Sequence, residues 1–154
     1  CLPVAYPANR DSFQGTGFTA MRAQASGVRV PNADARSWFF SHGVFAYPSA
    51  DAAEKALQKN VAALTACEGR SWSEASQDAN GGAPVFWNAG TVNTDGNGLV
   101  TMLNRQENAN GWGCWRGLKT EGTVVMDFSV CALDKPESVP AALADAIAKK
   151  IPTI

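Results

Sequence analysis

Apolar positions recur along the chain with two periods. From Gly15 to Gln24 they alternate with polar ones, the pattern of a strand. A second strand is expected from Ala35 to Ala46, rich in Trp38, Phe39, Phe40, Val44 and Phe45, and it stops at Tyr47-Pro48 because proline cannot continue a ladder in mid-sheet. The period then lengthens. Ala53, Leu57, Val61 and Leu64 share one face of a helix predicted over about Ala50 to Ala66, with Ser49 as N-cap and Asp51 and Glu54 near the positive end of its dipole. Cys67 falls at its end, and Glu68-Gly69 supplies a left-handed stop.

A polar, Gly-rich loop through Gly82 separates this helix from two further strands, Pro84 to Val92 and Leu99 to Glu107, joined by the turn Asn93 to Gly98. A second hairpin pairs Trp112 to Thr120 with Val124 to Cys131. Ser138 is the expected cap of a second helix, Pro140 sits in its first turn, and Leu143, Ala144, Ile147 and Ile151 form its buried stripe before Pro152. The order β-β-α-β-β-β-β-α with hairpin-length connections predicts one α+β domain over residues 1–154. Its twisted antiparallel sheet should carry both helices on one face.

The second hairpin permits a sharper reading. Gly122-Thr123 fits a type II′ turn, and that turn places Cys114 directly opposite Cys131 at a non-hydrogen-bonded site, where a disulfide is feasible. The same register puts Val124, Met126, Phe128, Val130 and Trp115 on one face, expected to be the core. Trp112, Arg116, Asp127 and Ser129 lie on the other with the two cysteines. Arg116 is diagonal to Asp127, within reach of an ion pair. This polar face has two readings: a solvated surface, or a recess in which an aromatic platform and a guanidinium meet a ligand. On the second reading Arg116 contributes to binding rather than to stability. Trp38, Trp87 and Trp115 are expected in the core.

Composition narrows the function. Of 154 residues 45% are hydrophobic and 18% charged, with a net charge of −1 and no basic run, which disfavours disorder and nucleic-acid binding. No stretch is long and apolar enough to span a bilayer, and no signal peptide is visible. Four dispersed cysteines, Cys1, Cys67, Cys114 and Cys131, without a Cys-x-x-Cys pair, read as two disulfides in an oxidising compartment rather than a zinc site. Bridging Cys1 to Cys67 would stabilise by about 4 kcal/mol in the chain-entropy picture, and the smaller Cys114 to Cys131 loop by about 3 kcal/mol.

No catalytic constellation stands out. The single histidine, His42, lies in a predicted strand without a nucleophile elbow and reads as structural or solvent-facing. Asn93, Asp95, Asn97 and Gly98 copy the first half of a calcium loop, but the twelfth position is Asn104 and the segment reads as a hairpin turn. Neither a metal nor another cofactor is expected, and the chain is not read as an enzyme.

Taken together, Gly17-Phe-Thr-Ala-Met-Arg-Ala-Gln24, Tyr47-Pro-Ser-Ala-Asp-Ala-Ala53, Cys67, Gly111-Trp-Gly-Cys-Trp-Arg116 and Val124-Val-Met-Asp-Phe-Ser-Val-Cys131 resemble the PknH-like extracellular domain of mycobacteria. That family supplies the sensor of a receptor Ser/Thr kinase and also occurs in secreted or lipid-anchored proteins. The resemblance covers nearly the whole chain. It implies bridges Cys1 to Cys67 and Cys114 to Cys131, a twisted antiparallel sheet flanked by helices, and a broad cleft for an extracellular ligand. Two departures stand out: Leu64 occupies a position where the family usually carries tryptophan, and the chain starts on its first paired cysteine. Either an N-terminal segment is lost or numbering begins late. An acylated Cys1 would make a lipoprotein, but it would leave Cys67 unpaired.

The expectation is a non-catalytic sensor domain of the mycobacterial envelope, outside the membrane. It would bind a small-molecule or envelope ligand through a cleft, and would be attached to a membrane-anchored protein. The alternative is a protein-interaction module of a surface lipoprotein.

Overall fold

In the computed structural model, residues 1, 7–28, 38–75, 82–133 and 137–151 are described. Seven strands form one antiparallel sheet: β1 (Ala20–Val28), β2 (Trp38–Ala46), β3 (Ser71–Glu74), β4 (Val85–Thr94), β5 (Val100–Gln106), β6 (Trp112–Glu121) and β7 (Val124–Leu133). Their order is β1-β2-β7-β6-β5-β4-β3. Helix α1 (Ala50–Thr65) connects β2 to β3, and helix α2 (Val139–Ala148) follows β7. A 3-10 turn, Arg10–Phe13, precedes β1.

Local chemistry accounts for the boundaries. Ser49 accepts a hydrogen bond from Ala52 N at 3.2 Å and starts α1, and Gly69 at φ +65° follows its end. Gly122 at φ +56° makes the β6–β7 turn, and the ladder pairs Glu121 with Val124 and Cys114 with Cys131, the register read from the sequence. Both disulfides form, Cys1–Cys67 and Cys114–Cys131, with Cα separations of 5.6 and 4.0 Å. The Asn93–Gly98 segment is a hairpin turn: Asp95 Oδ1 accepts from Asn97 N at 2.8 Å and Leu99 N at 2.9 Å.

Several expectations are corrected. The first strand begins five residues later than predicted, because Gly15 and Gly17 take φ of +72° and +81° and bend the chain before it. The segment predicted as a loop after α1 contains β3, held by Trp72 stacking on Trp87 across the ladder, centroids 6.2 Å apart. Ser138 precedes α2 but makes no side-chain cap bond. Trp115 is buried, whereas Trp87 is half-buried and Trp38 is 37% exposed. The expected start of β2 at 35–37, the loop residues 76–81 and the helix stop at Pro152 lie outside the described residues.

The largest correction concerns the layers. Val125, Leu118, Phe45, Val100 and Met102 point to one side and pack with Ala53, Ala56, Leu57 and Leu64 of α1. Phe128 and Phe40 point to the other side and pack with Leu99 and with Leu143, Ala144 and Ile147 of α2. The helices therefore cover opposite faces, not one. The physical reason lies in β7: flanked by β2 and β6, it is buried on both faces from Val125 to Ala132, so each face needs its own cover.

Gly117 stands opposite Phe128 and lets that ring lie flat on β6 beneath α2. A methyl group there would fall within the van der Waals envelope of Phe128 ring carbons, while one on Gly96 would meet nothing. Gly117→Ala is accordingly expected to cost about 1–3 kcal/mol in urea denaturation through overpacking, with Gly96→Ala near neutral.

Candidate functional site

The four residues first singled out do lie on one face. Trp112 pairs with Leu133, Arg116 with Ser129, and Asp127 sits two positions along from Ser129. The ion pair also forms, as two parallel bonds: Arg116 Nε donates to Asp127 Oδ1 at 3.0 Å, and its Nη2 to Oδ2 at 2.8 Å. The face is neither a solvated surface nor an open recess. Arg116, Asp127 and Ser129 are 1, 0 and 4% exposed, and only Trp112 is half-buried.

The N-terminal segment fills the space. Gly43 stands opposite Asp127 on β2 and has no side chain, so Ala8 packs directly over it; a Cβ on Gly43 would lie 2.8 Å from that of Ala8. Ala8 N then donates to Asp127 Oδ2 at 2.8 Å. Five residues on, Phe13 is wholly buried and stacks on Phe45 with centroids 3.7 Å apart. Ligand-binding residues were expected here; in the structure Asp127 ties Ala8 of the N-terminal segment to the sheet, and Arg116 pairs with Asp127 beneath it.

The opposite face is less completely covered. Helix α2 lies over β6 and β7, and its flank leaves a groove of about 500 Å³ above β1 and β2. The volume falls in the range of small-molecule sites. Phe40, Val44, Leu143, Ala146, Ile147 and Ile151 give it apolar walls, and Arg22, Gln24, His42 and Lys150 give it polar groups. Strand alternation explains the set: Arg22 pairs with Val44 and Gln24 with His42, so these side chains share one face.

His42 is the distinctive member. Its ring stacks on Phe40, centroids 5.0 Å apart, and among the described residues its Nδ1 is a buried atom without a hydrogen-bond partner. Burial, and then the charge of Lys150, hold its pKa below the ordinary 6.5. Among the described residues no carboxylate lines this groove. Among the described residues no three His, Cys, Asp or Glu side chains gather as a metal site. Sequence reasoning named His42 but not its place. The available signal was the alternation Phe40-x-His42-x-Val44 facing a helical stripe that carries Lys150 between Ile147 and Ile151.

Fold and cysteines define a disulfide-stapled α+β domain suited to an oxidising compartment. The profile of the PknH-like extracellular domain matches residues 1–150, and the chain belongs to that family. It is 25% identical over 142 residues to the serine/threonine-protein kinases PknH of Mycobacterium bovis and Mycobacterium tuberculosis. The alignment takes in 85% of this chain but 21% and 20% of those proteins, so the chain spans about a fifth of their length. The crystal structure of the extracellular domain of PknH from Mycobacterium tuberculosis superposes with a TM-score of 0.80 at 23% identity, covering 97% of this chain and 73% of that one. The domain is thus extracellular, and it corresponds to the non-catalytic part of such kinases rather than to the kinase domain.

Two measurements follow from this geometry. Replacing one partner of the buried pair, as in Arg116→Ala or Asp127→Ala, is expected to cost about 3–5 kcal/mol in urea denaturation, because the other charge is left buried. A loss below 1 kcal/mol would contradict the buried pair. For His42 the lowered pKa means the folded state disfavours the imidazolium, so the stability it contributes is full above pH 6.5 and is lost as pH falls. The single imidazole signal in NMR should titrate below 6.5. A midpoint at or above that value would contradict a half-buried ring beside Lys150.

Proposed function

We propose that this extracellular domain is a recognition module: it takes a small extracellular or envelope ligand into the groove between α2 and strands β1 and β2, and relays occupancy to a membrane-anchored parent protein. The single observation that supports this reading is the groove itself, where apolar walls meet converging polar groups and a buried ring nitrogen that has no partner among the described residues. Serine/threonine kinases are relatives of this chain, and a kinase parent is the arrangement we favour.

A second reading has its own observation. Trp38, Phe39 and Leu133 are 37, 45 and 37% exposed at one end of the β2–β7 pair, close to the Cys114–Cys131 bridge. Phe39 and Leu133 on one face of that end, with Trp38 on the other, fit a protein contact, as in an interaction module of a surface lipoprotein. In this fold Cys1 is bonded to Cys67, which leaves its sulfur no place for an acyl anchor.

The two readings separate when the ¹⁵N-labelled domain is titrated with octanol, an uncharged chain-bearing probe. Shift changes are expected at Phe40, His42, Val44, Leu143 and Ile147, and they should shrink several-fold in Ala146→Leu, which narrows the groove from an exposed helix position. Changes confined to Trp38, Phe39 and Leu133 would overturn the groove reading in favour of the protein contact.

A further inference from the structure

The groove is asymmetric in charge as well as in polarity. Among the described residues that line it, two of the polar groups are cations, Arg22 from β1 and Lys150 from the turn after α2, and none is an acid. Among the described residues, ion pairs join Lys55 to Asp51 and Arg116 to Asp127, so neither Arg22 nor Lys150 has a carboxylate within pairing distance. Over the chain the net charge is −1, so this positive lining is local rather than a reflection of a basic protein.

An exposed cation without a partner is ordinary, because water solvates it well. Two lining one groove, one from the sheet and one from beyond the helix, beside the apolar Phe40, Val44, Ile147 and Ile151, form a different object. These apolar side chains remove a hydrocarbon from water at roughly 25 cal/mol per Å². The cations then offer charge-assisted bonds to whatever polar group ends that hydrocarbon, and the described lining offers a cationic ligand no acid to pair with. Gln24 and His42 can add neutral hydrogen bonds beside them.

We infer that the groove selects an amphiphilic anion: a hydrocarbon chain or ring lying along Phe40, Val44, Ile147 and Ile151, with a carboxylate or phosphate head between Arg22 and Lys150. This rests on the groove being the ligand site, and it goes further by fixing the chemistry of the occupant. A head placed there shares the groove with the His42 ring, on which the charge of Lys150 already acts. Among the described residues, the charged groups lining the groove with that ring are Arg22 of β1 and Lys150 beyond α2; Gln24, Phe40 and Val44 from the sheet and Leu143, Ala146, Ile147 and Ile151 from the helix side are uncharged.

The test uses chain-matched probes on the intact domain: octanoate, octanol, octylammonium and inorganic phosphate, each titrated below its micellar concentration and followed by the NMR shifts of the groove residues. Octanoate is expected to bind about tenfold more tightly than octanol, to weaken as salt is raised, and to raise the His42 titration midpoint, which octanol leaves unchanged. In the double variant Arg22→Gln with Lys150→Gln, both positions being exposed, octanoate should fall to the affinity of octanol while octanol binding stays as it was. Phosphate alone should bind far more weakly than octanoate, since it lacks the chain.

The outcomes that overturn the inference are distinct from those that overturn the groove. Equal binding of octanoate and octanol at these residues, or tighter binding of octylammonium, would remove the anionic head and leave the groove standing. Phosphate binding as tightly as octanoate would remove the chain. If no probe moves Phe40, His42, Val44, Leu143 or Ile147, the groove reading falls together with the inference.

Discussion

Asp127 and Arg116 meet within the sheet, on a strand covered on both sides, and a charge pair in that position must be closed off from every direction. Arg116 reaches across from β6 to close one side. The remaining oxygen valence of Asp127 is met by a backbone N–H from 119 residues away in sequence, and the N-terminal segment is thereby drawn across the face. That arrangement needs Gly43, since any side chain there would hold Ala8 off the carboxylate. It is reinforced twice: Phe13 is buried against Phe45, and the Cys1–Cys67 bridge fastens the chain start to the end of α1. The disulfide supplies a tether, and the ion pair supplies the place to which the segment returns.

Because the segment and α1 together close this face, what remains open is decided by α2. That helix has ten residues and packs through Leu143, Ala144 and Ile147 onto Phe128 and Leu99, near the middle of the sheet. A helix about 10 Å wide seated over β6 and β7 reaches Phe40 of β2 but leaves the rest of β1 and β2 uncovered, given neighbouring strands nearly 5 Å apart. The uncovered strip is where Arg22, Gln24, Phe40, His42 and Val44 share a face. The position of the groove is thus a consequence of where α2 is seated.

Local chemistry wrote the parts of this fold that a sequence can carry. The β6–β7 register follows from one glycine turn, and α1 follows from Ser49, a period of 3.6 and Gly69, because each depends on residues only a few positions apart. The start of β1 was missed because alternation does not reveal the positive φ of Gly15 and Gly17. Strand β3 was missed because four residues in a polar stretch are held by a stack between Trp72 and Trp87 that is remote in sequence. The site was less legible than the fold. The register grouped Trp112, Arg116, Asp127 and Ser129 correctly, but which face remains open depends on the N-terminal segment and on α2, whose positions are set by contacts more than a hundred residues apart for Ala8 and Asp127.

The polar residues of β7 also explain why the sealed face was mistaken for an accessible one. In a strand with one wet face, Asp127 and Ser129 alternating with Met126, Phe128 and Val130 mark the wet side. Here the same alternation marks the side on which a buried ion pair replaces apolar packing, with Val125 and Leu118 continuing the core around it. A buried bidentate pair contributes less to net stability than an apolar core of equal volume, so its advantage lies in geometry: an aspartate accepting three bonds in fixed directions admits one path for the N-terminal segment. That path crosses the α1 face of the sheet, so the groove beside α2 lies on the face the N-terminal segment does not cross.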